Sequence, residues 1–162
     1  MATRSTITVE FEDGNILSFY CHFDGYPEGL GYKLDKFFDW DTIKRMPWHY
    51  TGSISSISEV ESEGKTFLVL SHMDADKPYS YSTKKEYEDT INHHEEYNYF
   101  YSEKEGKWYL MEYDYENKTA SYSLLSDVLS KREFIPINPY TMSDYLEMNK
   151  FEYWPVTIIS ID

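Results

Sequence analysis

A thiol, an imidazole and a carboxylate fall within four residues only at Tyr20-Cys21-His22-Phe23-Asp24-Gly25-Tyr26-Pro27. A Cys-His nucleophile needs the two side chains within hydrogen-bond reach, with the imidazole taking the thiol proton. Neighbours on a strand point to opposite faces, which sets Cys21 and His22 apart. His22 and Asp24, two residues apart, can share a face as a general acid/base pair. The same residues also make a structural turn. Asp24 then caps it, His22 hydrogen-bonds to that carboxylate or to backbone, and Cys21 is a small apolar filler. Gly25 supplies conformational freedom, while Pro27 offers no amide donor and restrains Tyr26.

Two further groups carry metal-type donors. His72, Asp74 and Asp76 alternate along an extended stretch, and His93-His94-Glu95-Glu96 ends a helical pattern. Neither has the spacing of a closed site, so no metal is assigned. Gly25, Gly29 and Gly31 lack the strand-loop-helix context of a dinucleotide cradle, so no cofactor is assigned. The remaining candidate is an aromatic stripe. Tyr97, Tyr99 and Tyr101, bordered by Glu95, Glu96 and Glu103 and joined across a hairpin by Trp108, read either as sheet core or as a binding surface. Tyrosine combines large contact area with low side-chain entropy, and acids around it would steer a basic partner.

The elements that must position these groups follow from periodicity. Thr6 to Phe11 alternates, with Ile7, Val9 and Phe11 on one face, and Asp13-Gly14 then turns the chain into an apolar strand from Asn15 to His22. A two-residue loop puts Tyr20 and His22 on the Ile7/Val9/Phe11 face; a three-residue loop puts Cys21 there. Glu28 to Trp40 reads as a helix with Leu30, Leu34, Phe37 and Phe38 inward and Lys33 and Lys36 outward. Asp41 is expected to cap a second helix ending near Pro47. Trp48 to Glu63 reads as a loop anchored by Ile54, Ile57 and Val60, Lys65 to Ser71 as a buried strand, and His72 to Ser82 as a polar loop. Thr83-Lys84-Lys85-Glu86 fits a capping box that opens a helix to about Asn92, with Tyr87 and Ile91 inward. Tyr97 to Glu103 and Lys107 to Tyr115 form an aromatic hairpin that aligns Tyr99 and Tyr101 with Leu110 and Trp108. Thr119 to Ser123, Leu124 to Arg132, Met142 to Met148 and Val156 to Ile161 are expected as strand, helix, short helix and strand. The sum is an α+β fold in a single domain, a mainly antiparallel sheet of hairpins with helices packed on one side.

With 162 residues the chain suits one domain, and 17 Tyr, 9 Phe and 4 Trp supply an aromatic core. The single cysteine forms no internal disulfide and suits a reducing compartment. The opening residues run straight into strand alternation, and no apolar run reaches membrane-spanning length, so the expected location is cytoplasmic. The net charge is −14. Such a field repels phosphate backbones and argues against direct nucleic-acid binding. From residue 86 to 117, ten acids stand against Lys104 and Lys107, a local net charge of −8. That is either a solvating face or a docking surface for a basic protein.

YCHFDGYPEGLGYKL after the Asp-Gly turn, TGSISSI, HMDADKPYSYSTKKEYEDTI and EEYNYFYSEKEGKWYLMEYD together resemble a family of small proteins from bacteriophages and their bacterial hosts. Its signature is similar to Tyr-Cys-His-x-Asp-Gly-Tyr-Pro followed by a glycine and a helix, with a late aromatic hairpin containing Gly-Lys-Trp. The resemblance covers residues 5–115, leaving 116–162 as a C-terminal elaboration. It implies phage origin and action in the host cytoplasm, and brings no catalytic residues. The resulting expectation is a phage accessory protein, for host takeover or anti-defence. It would bind and inhibit a basic host protein, such as a defence or nucleic-acid-processing enzyme, through Glu95, Glu96, Tyr97, Tyr99, Tyr101, Glu103 and Trp108, imitating the charge of nucleic acid. The alternatives are a small hydrolase or modifying enzyme using His22 and Asp24, and a self-associating structural protein.

Overall fold

The computed structural model describes residues 2–46, 53–73, 78–132, 142–144 and 156–161. Its strands are β1 (Ser5–Glu10), β2 (Ile16–Cys21), β3 (Ser53–Ser62), β4 (Lys65–Met73), β5 (Tyr79–Tyr81), β6 (Tyr97–Ser102), β7 (Lys107–Asp114), β8 (Thr119–Leu124) and β9 (Val156–Ser160). They join one sheet in the order β8-β7-β6-β1-β2-β3-β4-β9, with β5 paired to β2. The contacts β1–β6 and β2–β3 are parallel and the others antiparallel, so the fold is α+β with a mainly antiparallel sheet. The helical segments are a π turn at Pro27–Gly31, α1 (Tyr32–Phe37), α2 (Trp40–Lys44), α3 (Lys84–Asp89), a 3-10 turn at Ile91–His93 and α4 (Leu125–Ser130).

Ile7, Val9, Phe19, Cys21, Tyr99, Tyr101, Trp108 and Leu110 from the sheet meet Leu30, Leu34, Phe38, Ile43, Leu125 and Leu129 in the main core. The expected one-sided layering therefore holds for the π turn, α1, α2 and α4. The exception is α3, which sits over the opposite face, where Tyr87 packs with Ile16, Tyr81, Phe100 and Met111. That second face also carries buried polar groups in pairs. Thr8 and Ser18 share a 2.8 Å bond, and Thr6 Oγ1 donates to Asn98 Oδ1 at 2.8 Å. Buried hydroxyls without such partners would cost stability.

Several expectations change in the structure. The first hairpin closes with a three-residue loop: Phe11 and Asn15 pair, Gly14 has φ +93°, and Ser5 faces Cys21 in register. Cys21 thus shares the Ile7/Val9 face and Tyr20 lies opposite. The stretch expected as a loop at 48–63 contains the ten-residue strand β3, with residues 48–52 outside the described residues. A bulge between Ile54 and Ser56 puts Ile54 and Ile57 in the same core despite their odd spacing, which breaks the alternation a strand normally shows. Residues 72 and 73 extend β4, and Tyr79–Tyr81 forms β5 in the stretch expected as loop.

The long helix expected from Glu28 breaks at Phe38, and Asp39 rather than Asp41 caps α2 by accepting the Thr42 amide at 3.0 Å. Lys33 is half-buried rather than outward, and Ile91 is exposed rather than inward because α3 ends before it. The capping box at Thr83 forms as expected, its hydroxyl accepting the Glu86 amide at 3.1 Å, although Glu86 reaches back to Ser82 N. The aromatic hairpin keeps its expected register, Tyr101 opposite Trp108 and Tyr99 opposite Leu110. Past residue 115, β8 extends the sheet beside β7, Leu125 and Leu129 enter the main core, and β9 pairs with β4. Of the helix expected at 142–148, residues 142–144 are helical and the rest lie outside the described residues.

Candidate functional site

The Tyr20–Pro27 stretch does not assemble a catalytic group. Cys21 is fully buried, and burial pushes its thiol up to about 12, so it stays protonated at neutral pH. Its Sγ lies 3.8 Å from Phe23 O and 4.0 Å from Ser55 O, weak contacts of a packed thiol. His22 Nδ1 is hydrogen-bonded to Tyr20 Oη at 2.6 Å, and its ring meets Phe23 edge-on. Asp24 has turned away with φ +58°. Its carbonyl accepts the Leu30 amide at 2.9 Å, and its carboxylate stands beside Tyr26, where burial and that charge both raise the phenol pKa. The expected His22–Asp24 pairing is therefore replaced by His22–Tyr20, because the chain leaves the strand direction at Asp24.

What the turn does instead is tie the chain before β1 to β6. Gly25 N donates to Thr3 O at 3.0 Å, and Gly25 O accepts the buried Tyr99 hydroxyl at 2.6 Å. A Cβ at Gly25 would stand 2.6 Å from Ser5 Cβ and 2.7 Å from Thr3 O, so only glycine fits. Pro27 then opens the π turn. Beside the turn, Lys33 is a cation that sequence reasoning placed in solvent. Burial lowers its ammonium pKa, opposed by the charges of Asp24, Cys21 and Glu59.

The expected binding stripe is also redistributed. Tyr99 is 0% exposed, Tyr101 3% and Trp108 5%, all on the helix-covered face, and Tyr97 is half-buried beside them. Trp108 Nε1 donates to Phe38 O at 2.8 Å, tying the hairpin to the end of α1. These aromatics are core, because α1 and α4 cover the face they point to. Glu95 and Glu96 precede β6 and Glu103 follows it. At about 3.3 Å per residue the two ends are roughly 25 Å apart, so these acids do not rim one patch. Glu95 lies near Arg4 and His22, and burial raises its carboxyl pKa. Glu103 accepts the Glu12 amide at 2.6 Å.

The exposed aromatic surface lies on the opposite face of the same hairpin, against α3. His93 stacks on Tyr79 at 3.6 Å and shares a 2.6 Å bond with Tyr81 Oη. His94 Nε2 is bonded to Tyr87 O at 3.2 Å and its ring meets Tyr113 at 5.5 Å. Burial is the main cause lowering the His94 pKa. These partners occupy His93 and His94 with tyrosines; Asp74 and Asp76 lie outside the described residues, and His72 Nε2 is bonded to Thr157 Oγ1 at 2.7 Å.

Beyond His94 the surface opens into a groove of about 410 Å³ lined by Lys85, Asp89, Ile91, Tyr113, Tyr115 and Lys118. Ile91 is 41% and Tyr115 63% exposed. Glu86 and Glu88 on α3, Asp114 at the end of β7 and Glu116 in the turn after it lie close by in the chain. Lys85 is neutralised by Asp89 at 3.2 Å, and Lys84 lies over the Tyr122 ring at 4.3 Å.

Comparison with protein-family models, curated proteins and solved structures returned no match to this chain. No helix among the described residues is long and apolar enough to cross a membrane. The hairpin forms in the expected register, and the face expected to bind, that of Tyr99, Tyr101 and Trp108, is buried while the Tyr113 face stays partly open.

Proposed function

We propose that the protein is an accessory inhibitor, of phage origin and acting in the host cytoplasm, which docks on the basic surface of a host nucleic-acid-processing or defence enzyme. The observation that carries this reading is the Ile91–Tyr113–Tyr115 groove, an open aromatic and aliphatic surface on a chain of net charge −14. Exposed tyrosine and isoleucine supply contact area, while the net negative charge of the chain as a whole accelerates encounter with a basic partner. A protein built to engage nucleic acid would carry the opposite charge. The partner is thus expected to be one whose basic surface normally holds a phosphate backbone, with this chain competing for that surface.

The test is affinity capture from nuclease-treated host lysate at low and high salt, with wild type and with Ile91→Ser/Tyr115→Ser side by side. The expected result is a basic enzyme retained by wild type at low salt, lost at high salt, and lost from the variant while the variant stays folded. Equal retention by the variant would rule this face out as the docking surface.

A further inference from the structure

On one side the sheet ends in β8, and that edge is unguarded. All of Thr119-Ala120-Ser121-Tyr122-Ser123-Leu124 pairs with β7 in unbroken antiparallel register, from Thr119 opposite Asp114 to Leu124 opposite Tyr109. Among the described residues no strand lies on its other side. An edge strand turns about half of its backbone N–H and C=O groups outward, a template for one more strand. Proteins commonly blunt such edges with lysine, proline, a bulge or a very short strand. β8 contains neither lysine nor proline, shows no register shift against β7, and is as long as β1, β2 and β6. The chain that follows does not cover it: α4 turns over the helix-covered face toward the π turn and α1, carrying Leu125 and Leu129 into the main core. Thr119, Ser121 and Ser123 are exposed.

The two faces of β8 differ. Ala120, Tyr122 and Leu124 are half-buried and continue the face of Tyr113, Met111 and Tyr109, with Tyr122 edge-on to Phe100 and Tyr109. Thr119 and Ser121 continue the other face, where β7 sets exposed Asp114 and Glu112 opposite them. Glu88 accepts the Tyr122 hydroxyl at 2.5 Å, and Asp127 stands in the first turn of α4. Of the nearby cations, Lys84 already lies over the Tyr122 ring and Lys118 is exposed in the turn before β8. The strand itself carries no charge, so its flanks set the sign. Glu88, Glu112, Asp114, Glu116 and Asp127 stand there against Lys84 and Lys118.

We propose that the outer edge of β8 takes up an extended, basic segment of a partner protein as an added strand. Backbone hydrogen bonds along the edge supply affinity, and alternate side chains supply specificity. Apolar residues of the segment lie beside Ala120 and Tyr122, and lysine or arginine lies beside Thr119 and Ser121 in the field of Glu112 and Asp114. A second copy of this chain would offer the same strand but bring a further net charge of −14 to the seam, which like-charge repulsion opposes. A helix would leave the outward backbone groups of the edge unpaired. Strand addition does not require the Ile91–Tyr113–Tyr115 groove, which lies on the face of the hairpin rather than along its edge.

The probe is the peptide acetyl-Lys-Val-Lys-Val-Lys-Val-Lys-amide, titrated into the full chain while backbone amide signals and their hydrogen exchange are followed by NMR. The expected result is saturable binding that weakens at high salt, with exchange of the outward amides of β8 slowed at least about tenfold. N-methylation of the central peptide amides removes donors and keeps the charge, and should weaken binding at least about tenfold. The same peptide with glutamate in place of lysine should not bind. Ser121→Lys, a charge at an exposed edge position, should weaken binding several-fold with native spectra otherwise. Ile91→Ser/Tyr115→Ser should bind the peptide as wild type does, which separates this edge from the groove. Equal binding of the N-methylated peptide would reveal attraction to surface charge only and would overturn the added strand. So would no saturation by about 5 mM, a range where weak peptides register, or loss of binding in the groove variant. A dimer in sedimentation equilibrium whose outward β8 amides are already protected without peptide would assign the edge to a second copy and overturn it as well.

Discussion

Replacing Gly25 by alanine tests whether the Tyr20–Pro27 turn is a structural lock. Gly25 does not have a positive φ, so alanine meets no conformational penalty there. The cost is one of space. The new methyl group would lie 2.6 Å from Ser5 Cβ and Oγ and 2.7 Å from Thr3 O, well inside contact distance, and backbone on both sides must move. Overpacking of this kind costs about 1–3 kcal/mol. The displacement also pulls Gly25 O away from the Tyr99 hydroxyl, a 2.6 Å buried bond whose loss by Tyr99→Phe alone costs about 1–3 kcal/mol.

Because the two changes act on the same bond, the double variant should lose less than the sum, with a coupling of about 0.5–3 kcal/mol. Urea unfolding followed by tryptophan fluorescence and far-UV circular dichroism reads all four stabilities. A Gly25→Ala variant within about 0.5 kcal/mol of wild type, the range of ordinary surface changes, would refute the lock. Strict additivity would show that Gly25 and Tyr99 are not joined as described.

Other consequences are equally direct. The buried, protonated Cys21 should resist thiol reagents at pH 8 in the native state and react fully in urea; rapid native labelling would contradict its placement. As a thiol whose folded pKa is raised from 9.0 to about 12, Cys21 favours the fold below pH 9, and that contribution should fall away as pH rises toward 12. Cys21→Ala should remove this part of the alkaline loss of stability. His94, held neutral mainly by burial, has a folded pKa below its ordinary 6.5. The unfolded chain therefore binds more protons in acid, and stability should decline as pH falls below 6.5, with His94→Gln flattening that decline in a pH series of urea midpoints. Trp108→Phe leaves Phe38 O without its 2.8 Å donor and should cost about 1–3 kcal/mol in the same assay.

The β6–β7 register is legible because Tyr97, Tyr99 and Tyr101 recur at every second position, Trp108 and Leu110 do the same on the return strand, and the turn around Lys104-Glu105-Gly106 leaves an even offset. The β1–β2 register was ambiguous for a local reason: Asp13-Gly14 suits a two-residue turn, and also a three-residue loop with Gly14 left-handed. β3 was hidden by its bulge, since Ile54, Ile57 and Val60 recur every three residues as a helix or loop anchor would. The hardest question was which face of the hairpin meets water. Tyr99 and Tyr113 look alike in sequence; what separates them is that α1 and α4 close over one face while α3 stops short on the other and leaves Ile91 and Tyr115 open. That is decided by packing between distant segments.

The proposed competition for a basic surface is measured by the affinity of the purified captured enzyme for a labelled oligonucleotide while this protein is titrated in, at two ionic strengths. The expected result is full displacement by wild type at low salt, weakened at high salt, and at least about tenfold poorer displacement by Ile91→Ser/Tyr115→Ser. Displacement unaffected by that variant, or a ternary complex in which oligonucleotide and protein bind together, would contradict it.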